Sequence, residues 1–201
     1  MLRTLARLQG AAVDPSTEEE PGRILHEIRF HDKPSSSFSD GTIYYGSIDS
    51  SPLFVMLLGE LRRWGLATDV VDGLLVHADR ALDWIERFGD RDGDGYVEYE
   101  RSTPDGLVNQ GWKDSWDGIT FADGTLPEGP IALCEVQGYV YAARLAAADM
   151  ASELGKPGVA EEQHARAIRL RAAFEQAFWS EELGTYVLAL DGRLRPSSAS
   201  T

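Results

Sequence analysis

Leu133-Cys134-Glu135-Val136-Gln137-Gly138-Tyr139-Val140-Tyr141-Ala142-Ala143-Arg144-Leu145-Ala146-Ala147-Ala148-Asp149-Met150 is the stretch that decides the fold. Val136, Tyr139, Val140, Ala143, Leu145, Ala146 and Met150 recur at helical spacing, which predicts one long helix over residues 133–154. Its many alanines have short side chains, so a neighbouring helix can approach closely. Gly155-Lys156-Pro157-Gly158 then breaks the chain. A second helix is expected over 159–179, with Ala165, Ile168, Leu170, Ala172, Phe174 and Phe178 as its apolar positions.

The same pairing occurs upstream. Asp49, Ser50 and Ser51 offer a helix cap, with Pro52 in the first turn. Leu53, Val55, Met56, Leu57, Leu58 and Leu61 carry that helix to Trp64, and Gly65 stops it. It is apolar on most sides, as an inner helix would be. Thr68 and Asp69 open the next helix, in which Val70, Val71, Leu74, Leu75, Ala78, Leu82 and Ile85 recur up to Phe88-Gly89. Its other face carries Asp72, Asp79, Arg80, Asp83 and Arg87, so it is expected on the outside.

The pattern is helix–helix, long loop, helix–helix, short hairpin. No sequence repeat is evident, but the architecture repeats, and chains of such hairpins close into α/α toroids. Two pairs cannot close a ring, so the chain reads as a piece of a longer protein. Residues 1–35 are taken as an N-terminal connector. It holds a short helical period at 2–8, a polar proline-bracketed run at 14–22, and a strand at 24–30 that alternates Glu27 and Arg29 with Ile28 and Phe30. Residues 36–201 form the partial toroid, opening on a Ser-, Pro- and Gly-rich loop that covers 31–42. Tyr96, Val97 and Tyr99 suggest a short strand, as do residues 186–190 before the Asp191-Gly192 turn.

The 201 residues are 43% hydrophobic and 26% charged, enough to build a core. The formal charge of -14 argues against nucleic acid and anionic membranes, which need a basic surface, and suits a neutral substrate. The one cysteine, Cys134, permits no intramolecular disulfide and is read as a small apolar residue. No apolar run reaches membrane length, and the first seven residues do not make a signal peptide. A cytoplasmic protein is expected.

Two stretches carry chemistry. Asn109-Gln110-Gly111-Trp112-Lys113-Asp114-Ser115-Trp116-Asp117 packs two carboxylates, two indoles and a lysine into nine residues with no regular period. An indole face can hold a sugar ring while acids take its hydroxyls. The stretch is either such a site, with Asp114 or Asp117 as a catalytic acid, or a rigid surface turn with two packed tryptophans. Asp90-Arg91-Asp92-Gly93-Asp94-Gly95-Tyr96-Val97-Glu98 matches the first half of an EF-hand loop. Arg101 stands where the closing glutamate belongs. Asp90, Asp92, Asp94 and Glu98 could hold Ca2+, or the aspartates could cap their own backbone without a metal.

Tyr44-Tyr45-Gly46-Ser47-Ile48-Asp49, the Asp-Gly-Asp-Gly turn, Asn109-Gln110-Gly111-Trp112-Lys113-Asp114-Ser115 and Cys134-Glu135-Val136-Gln137-Gly138-Tyr139 together carry a family resemblance. In this order they resemble bacterial glycogen-debranching-like proteins. These are the amylo-α-1,6-glucosidase relatives, close to the mannosylglycerate-hydrolase-like glycosidases of the six-hairpin superfamily. The resemblance implies a mainly α protein, part of an (α/α)6 toroid, that hydrolyses α-glucosidic bonds in oligosaccharides or glucosides with inversion. It implies no required cofactor.

Inversion takes two carboxyl groups about 6.5–9.5 Å apart, one as acid and one as base. The resemblance implies Asp114 as the acid, but Lys113 stands between it and Trp112, so Asp117 remains a rival. Trp112 and Trp116 would exclude water and raise the acid's pKa. Sugar contacts are implied for Tyr44, Tyr45, Asp49, Asn109, Gln110, Trp112, Lys113, Trp116, Glu135 and Gln137. The family's base comes from later hairpins, so the chain alone is expected to be inactive. Its open helix faces are expected to self-associate. The alternative is a non-catalytic carbohydrate-binding or structural helical module.

Overall fold

The computed structural model of the protein describes residues 1–28 and 43–197. A short helix α1 (Leu2–Arg7) precedes strands β1 (Glu27–Ile28) and β2 (Ile43–Tyr44). Helices α2 (Ser50–Arg63) and α3 (Thr68–Trp84) follow, and α3 runs into one π-helical turn, Ile85–Gly89. Next come β3 (Glu98–Tyr99), β4 (Ile131–Leu133), α4 (Cys134–Glu153) and α5 (Pro157–Ala177). Strands β5 (Trp179–Ser180), β6 (Thr185–Tyr186) and β7 (Ala189–Leu190) complete the described chain. It is mainly helical with small sheets, as the sequence pattern requires.

Few residues separate α2 from α3 and α4 from α5, so each second helix folds back on its predecessor. Helix α2 packs on both α3 and α4, and α4 packs on α5. The approach of α2 to α4 is closest at Gly59, where an added Cβ would lie 2.5 Å from the Cβ of Ala146. Glycine facing alanine is therefore what lets the two helix backbones meet. Phe54, Val55, Leu58, Val136, Val140 and Ala143 fill the seam and are almost fully buried. Each buried Val or Leu contributes about 1.5–3 kcal/mol relative to leaving it exposed.

The elements depart from the sequence reading in four places. Helix α2 is not buried all round: Leu53 and Leu57 lie at its surface because α3 and α4 cover only part of its circumference. Asp49 gives α2 no side-chain cap; its carboxylate instead accepts a hydrogen bond from Ser47 Oγ. Helix α5 starts two residues early, since Pro157 occupies its first turn, where no N–H is needed. Of the apolar positions expected for α5, Leu170, Phe174 and Phe178 face the core, whereas Ala165, Ile168 and Ala172 point outward and Ala167 is buried in their place.

The strands also differ. Residues 186–190 belong to two sheets: β6 forms a hairpin with β5, while β7 joins β4. Strand β4, in residues read as loop and helix start, is the centre of the antiparallel sheet β3-β4-β7. Its registers are Glu98 opposite Ala132 and Ala132 opposite Leu190. Since β3 and β4 pair, the connection 100–130 is closed at its base beside the start of α4. Strand β1 pairs with β2; Arg29, Phe30, the loop at 31–42 and the last residues, 198–201, lie outside the described residues. No helix among the described residues is long and apolar enough to cross a membrane.

Replacing Gly59 by alanine should destabilise the protein by about 1–3 kcal/mol through overpacking. Helix propensity alone predicts a gain of about 1 kcal/mol. Urea unfolding of the variant separates the two, and a stabilised Gly59→Ala would show that the helices do not meet there.

Candidate active site

The motif at 109–117 has a pinned base and an exposed crest. Asn109 is buried; its Oδ1 accepts from the Tyr99 hydroxyl at 2.7 Å and its Nδ2 donates to the Ser115 carbonyl at 2.6 Å. Gln110 is buried too. Its Oε1 accepts from Arg23 Nη2 at 2.8 Å, its Nε2 donates to Glu18 Oε2 at 2.5 Å, and its carbonyl accepts from Ile48 N at 2.8 Å. A Cβ on Gly111 would lie 2.2 Å from Leu133 Cδ1 and 3.4 Å from Glu135 Oε1, so the glycine seats the loop against α4. Ile119 re-enters the core beyond the crest.

Between these anchors Trp112 and Trp116 are 64% and 67% exposed, and Asp114, Ser115 and Asp117 are exposed as well. This corrects one expectation: the indoles do not enclose either carboxylate, because the anchors lie below the crest and nothing among the described residues covers it. Lys113 is half-buried. Its ammonium lies 5.4 Å from the Trp112 ring centroid and is close enough to Glu135 to stabilise that carboxylate.

Glu135 is the desolvated carboxylate of this region. It stands in the first turn of α4, half-buried, and burial pushes its pKa up, against its own backbone N–H; the nearby Asp49 charge adds to the rise and Lys113 opposes it. Tyr139, one turn further along α4, feels the same two carboxylates and is also shifted up, chiefly by burial. Asp49, Lys113, Glu135 and Tyr139 therefore converge where α2 and α4 begin. Cys134 sits beside them with its thiol pushed up to about 11 by burial and by Glu135, which makes it a poor nucleophile.

Five of the predicted sugar contacts, Tyr44, Tyr45, Asn109, Gln110 and Gln137, lie in the interior. Tyr44 accepts from Leu107 N, and burial raises its hydroxyl to about 12. Tyr45 donates to the Leu8 carbonyl. Gln137 clamps Val97 at both main-chain atoms, at 2.9 and 2.7 Å. With Asn109 and Gln110, these side chains are occupied by protein groups, so their place is beneath the site rather than on it.

The run at 14–22, read as a polar connector, instead builds the floor of the motif. Arg23 is fully buried and donates to the Glu18 carbonyl, to Glu20 and to Gln110. Glu20 also accepts from Trp84 Nε1 and Arg91 Nη2. Burial raises the Glu18 pKa, and Arg23 opposes the rise. The one signal in the sequence was the cationic Arg23 abutting Ile24-Leu25 after three glutamates.

In the acidic turn, ligand atoms of Asp90, Asp92, Asp94 and Glu98 all lie within 4.8 Å of one another. That spacing fits oxygens on a sphere of about 2.4 Å radius, the Ca2+–oxygen distance. The aspartates also accept backbone N–H bonds from Gly93, Asp94, Gly95 and Tyr96, as in a self-capped turn. A carboxylate oxygen has two lone pairs, so the two arrangements are compatible. Glu98 is buried, and burial plus the neighbouring Asp94 and Asp92 charges raise its pKa to about 8. Arg101 donates to the Pro104 carbonyl and takes no part in the turn.

The paired helices carry a carboxylate-rich, indole-bearing loop beside the start of α4. The family model for the mannosylglycerate hydrolase MGH1-like glycoside hydrolase domain matches residues 63–198, so this is a helical glycoside hydrolase domain, with a carbohydrate substrate, and the chain belongs to that family. The match takes in the acidic turn, the motif and α4, but not Tyr44, Asp49 or the Glu18–Arg23 floor. No curated protein sequence matches the chain.

Because the folded state favours protonated Glu135, its ionisation destabilises the protein as pH rises through and beyond its ordinary value near 4.5. Glu135→Gln should therefore melt above the wild type at pH 8 and together with it at pH 4. Equal offsets at both pH values would mean that Glu135 is not desolvated.

Proposed function

We propose that this chain supplies the acid half of an inverting α-glycosidase that acts on α-glucosidic linkages, in the manner of debranching enzymes. Asp114 donates the proton to the leaving oxygen, with Asp117 as its rival. The reading is carried by one observation: the motif inside the family match displays both carboxylates on a solvent-facing crest that Asn109 and Gln110 hold from below. Substrate covering the crest would bring the desolvation that raises the acid's pKa. Asp49, Lys113, Glu135, Trp112 and Trp116 hold the sugar, while Tyr44, Tyr45, Asn109, Gln110 and Gln137 support the loop. The base comes from further hairpins of an (α/α)6 toroid of which this chain is a part, so the chain alone turns nothing over. We place it in the cytoplasm, consistent with a lone reduced thiol.

In the intact catalytic domain, Asp114→Asn should lower kcat on an α-glucoside with an unactivated sugar leaving group by about 10³-fold or more with KM little changed. Asp117→Asn should cost less than about tenfold. If the two results are exchanged, Asp117 is the acid. If neither variant loses rate, neither carboxylate is the acid; sugar binding with no turnover by the intact domain would favour the second reading, a sugar-binding module.

The acidic turn is proposed to hold Ca2+ through Asp90, Asp92, Asp94 and Glu98, as a structural clamp between α3 and β3. Ca2+ at about a hundredfold over its Kd would add about 2.7 kcal/mol, or roughly 5–10 °C in Tm. Asp94→Ala should abolish the gain. Identical melts in Ca2+ and in chelator would rule the clamp out.

A further inference from the structure

The connection 100–130 encloses a cavity of about 310 Å³ beside the crest of the motif. Trp116 and Asn109 line it from the motif, Glu100 and Arg101 from the chain leaving β3, and Leu126 and Pro127 from the chain approaching β4. It shares no residue with the Asp49–Lys113–Glu135–Tyr139 group. Small-ligand pockets run upward from about 300 Å³, so this one suits a single ring rather than a chain.

Its chemistry is two-sided. The Trp116 indole, Leu126 and Pro127 present apolar surface, and the main chain that carries the indole is anchored where Asn109 donates to the adjoining Ser115 carbonyl. Glu100 and Arg101 bring opposite charges. The Glu100 carboxylate has no hydrogen-bond or ion-pair partner among the described residues, and Arg101 uses one nitrogen on the Pro104 carbonyl, leaving its other donors available. A hydroxyl can donate to the one and accept from the other. An anion would meet Glu100 and the protein's net charge of -14, and a cation would meet Arg101.

We propose that this cavity is a subsite for one neutral pyranose unit of an oligosaccharide, stacked on Trp116 with its hydroxyls on Glu100 and Arg101. The proposal rests on the glycosidase reading and extends it: the unit held here neighbours the one whose bond is cleaved. An oligosaccharide then binds more tightly than a monosaccharide glycoside.

Calorimetric titration of the 201-residue chain with maltotriose, α-mannotriose, methyl α-glucoside and maltotriose oxidised to its aldonate tests it. At least one neutral trisaccharide should bind about tenfold or more tightly than methyl α-glucoside. Trp116→Ala should weaken that binding about tenfold, Trp116→Phe should restore most of it, and Glu100→Gln should weaken it severalfold. Trp64→Ala, an equally exposed indole at the end of α2, should leave it unchanged. Binding of the trisaccharide unaffected by Trp116→Ala, preference for the aldonate, or no binding of either neutral trisaccharide would each overturn the subsite. Should the intact domain still lose turnover in Asp114→Asn while Trp116→Ala keeps the wild-type KM, the subsite fails and the glycosidase reading stands.

Discussion

A single buried cation, the Arg23 guanidinium, ties the parts of this structure together. It sits between Glu18, Glu20 and Gln110 and lies 5.2 Å from the Trp84 ring centroid, so the N-terminal run, α3 and the motif all meet at one group. Removing one partner of such a buried pair costs about 3–5 kcal/mol, because the other charge is left in a medium that does not solvate it. The nitrogens Nε of Arg23 and Arg91 have no hydrogen-bond partner among the described residues. Hydrophobic side chains of similar volume often fill such a space as stably as a buried ion pair does. What the cluster provides is register: the Arg23 Nη groups meet the Glu18 carbonyl, Glu20 and Gln110 together, and that arrangement places Gln110.

The motif above it divides in two by solvation. Asn109, Gln110 and Gly111 are buried and held by protein groups, whereas Trp112, Asp114, Trp116 and Asp117 stand in water. A loop rigid at its base and open at its crest can present side chains to a ligand without reorganising when the ligand arrives. Glu135 and Asp49 are the counterpart, brought together by the start of two packed helices rather than by a loop. Burial raises the Glu135 pKa, the Asp49 charge adds to the rise, and Lys113 tempers it. The close contact of Gly59 with Ala146 is what permits this, since α2 and α4 must lie side by side for Asp49 and Glu135 to feel one another.

The helices were legible because burial on one side imposes a period, which α2 and α3 show plainly, and because α4 is a long alanine-rich run bounded by Gly155-Lys156-Pro157. The family motifs singled out the loop at 109–117, whose base is buried and whose crest is exposed. The choice among its residues was not legible. Tyr44, Tyr45, Asn109, Gln110 and Gln137 carry the same hydrogen-bonding groups whether they hold a sugar or a backbone, and only their burial distinguishes the two. Glu18 and Glu20 were missed for the opposite reason: a run of glutamates looks solvated, and its partners Trp84, Arg91 and Gln110 are far away in sequence. The face of α5 was only half legible: Leu170, Phe174 and Phe178 were placed in the core, but Ala165, Ile168 and Ala172 were not separable from Ala167, because apolar residues recur on more than one stripe.

The amino-acid sequence by itself determined that paired helices flank a long loop, that the loop bears carboxylates and indoles, and that an acidic turn precedes it. Each follows from local spacing, which survives in one dimension. Tertiary structure alone decided which carboxylates are desolvated, which polar side chains are occupied, and where a cavity opens beside Trp116. Those are matters of distance between residues remote in the chain, and water is excluded only where several elements meet.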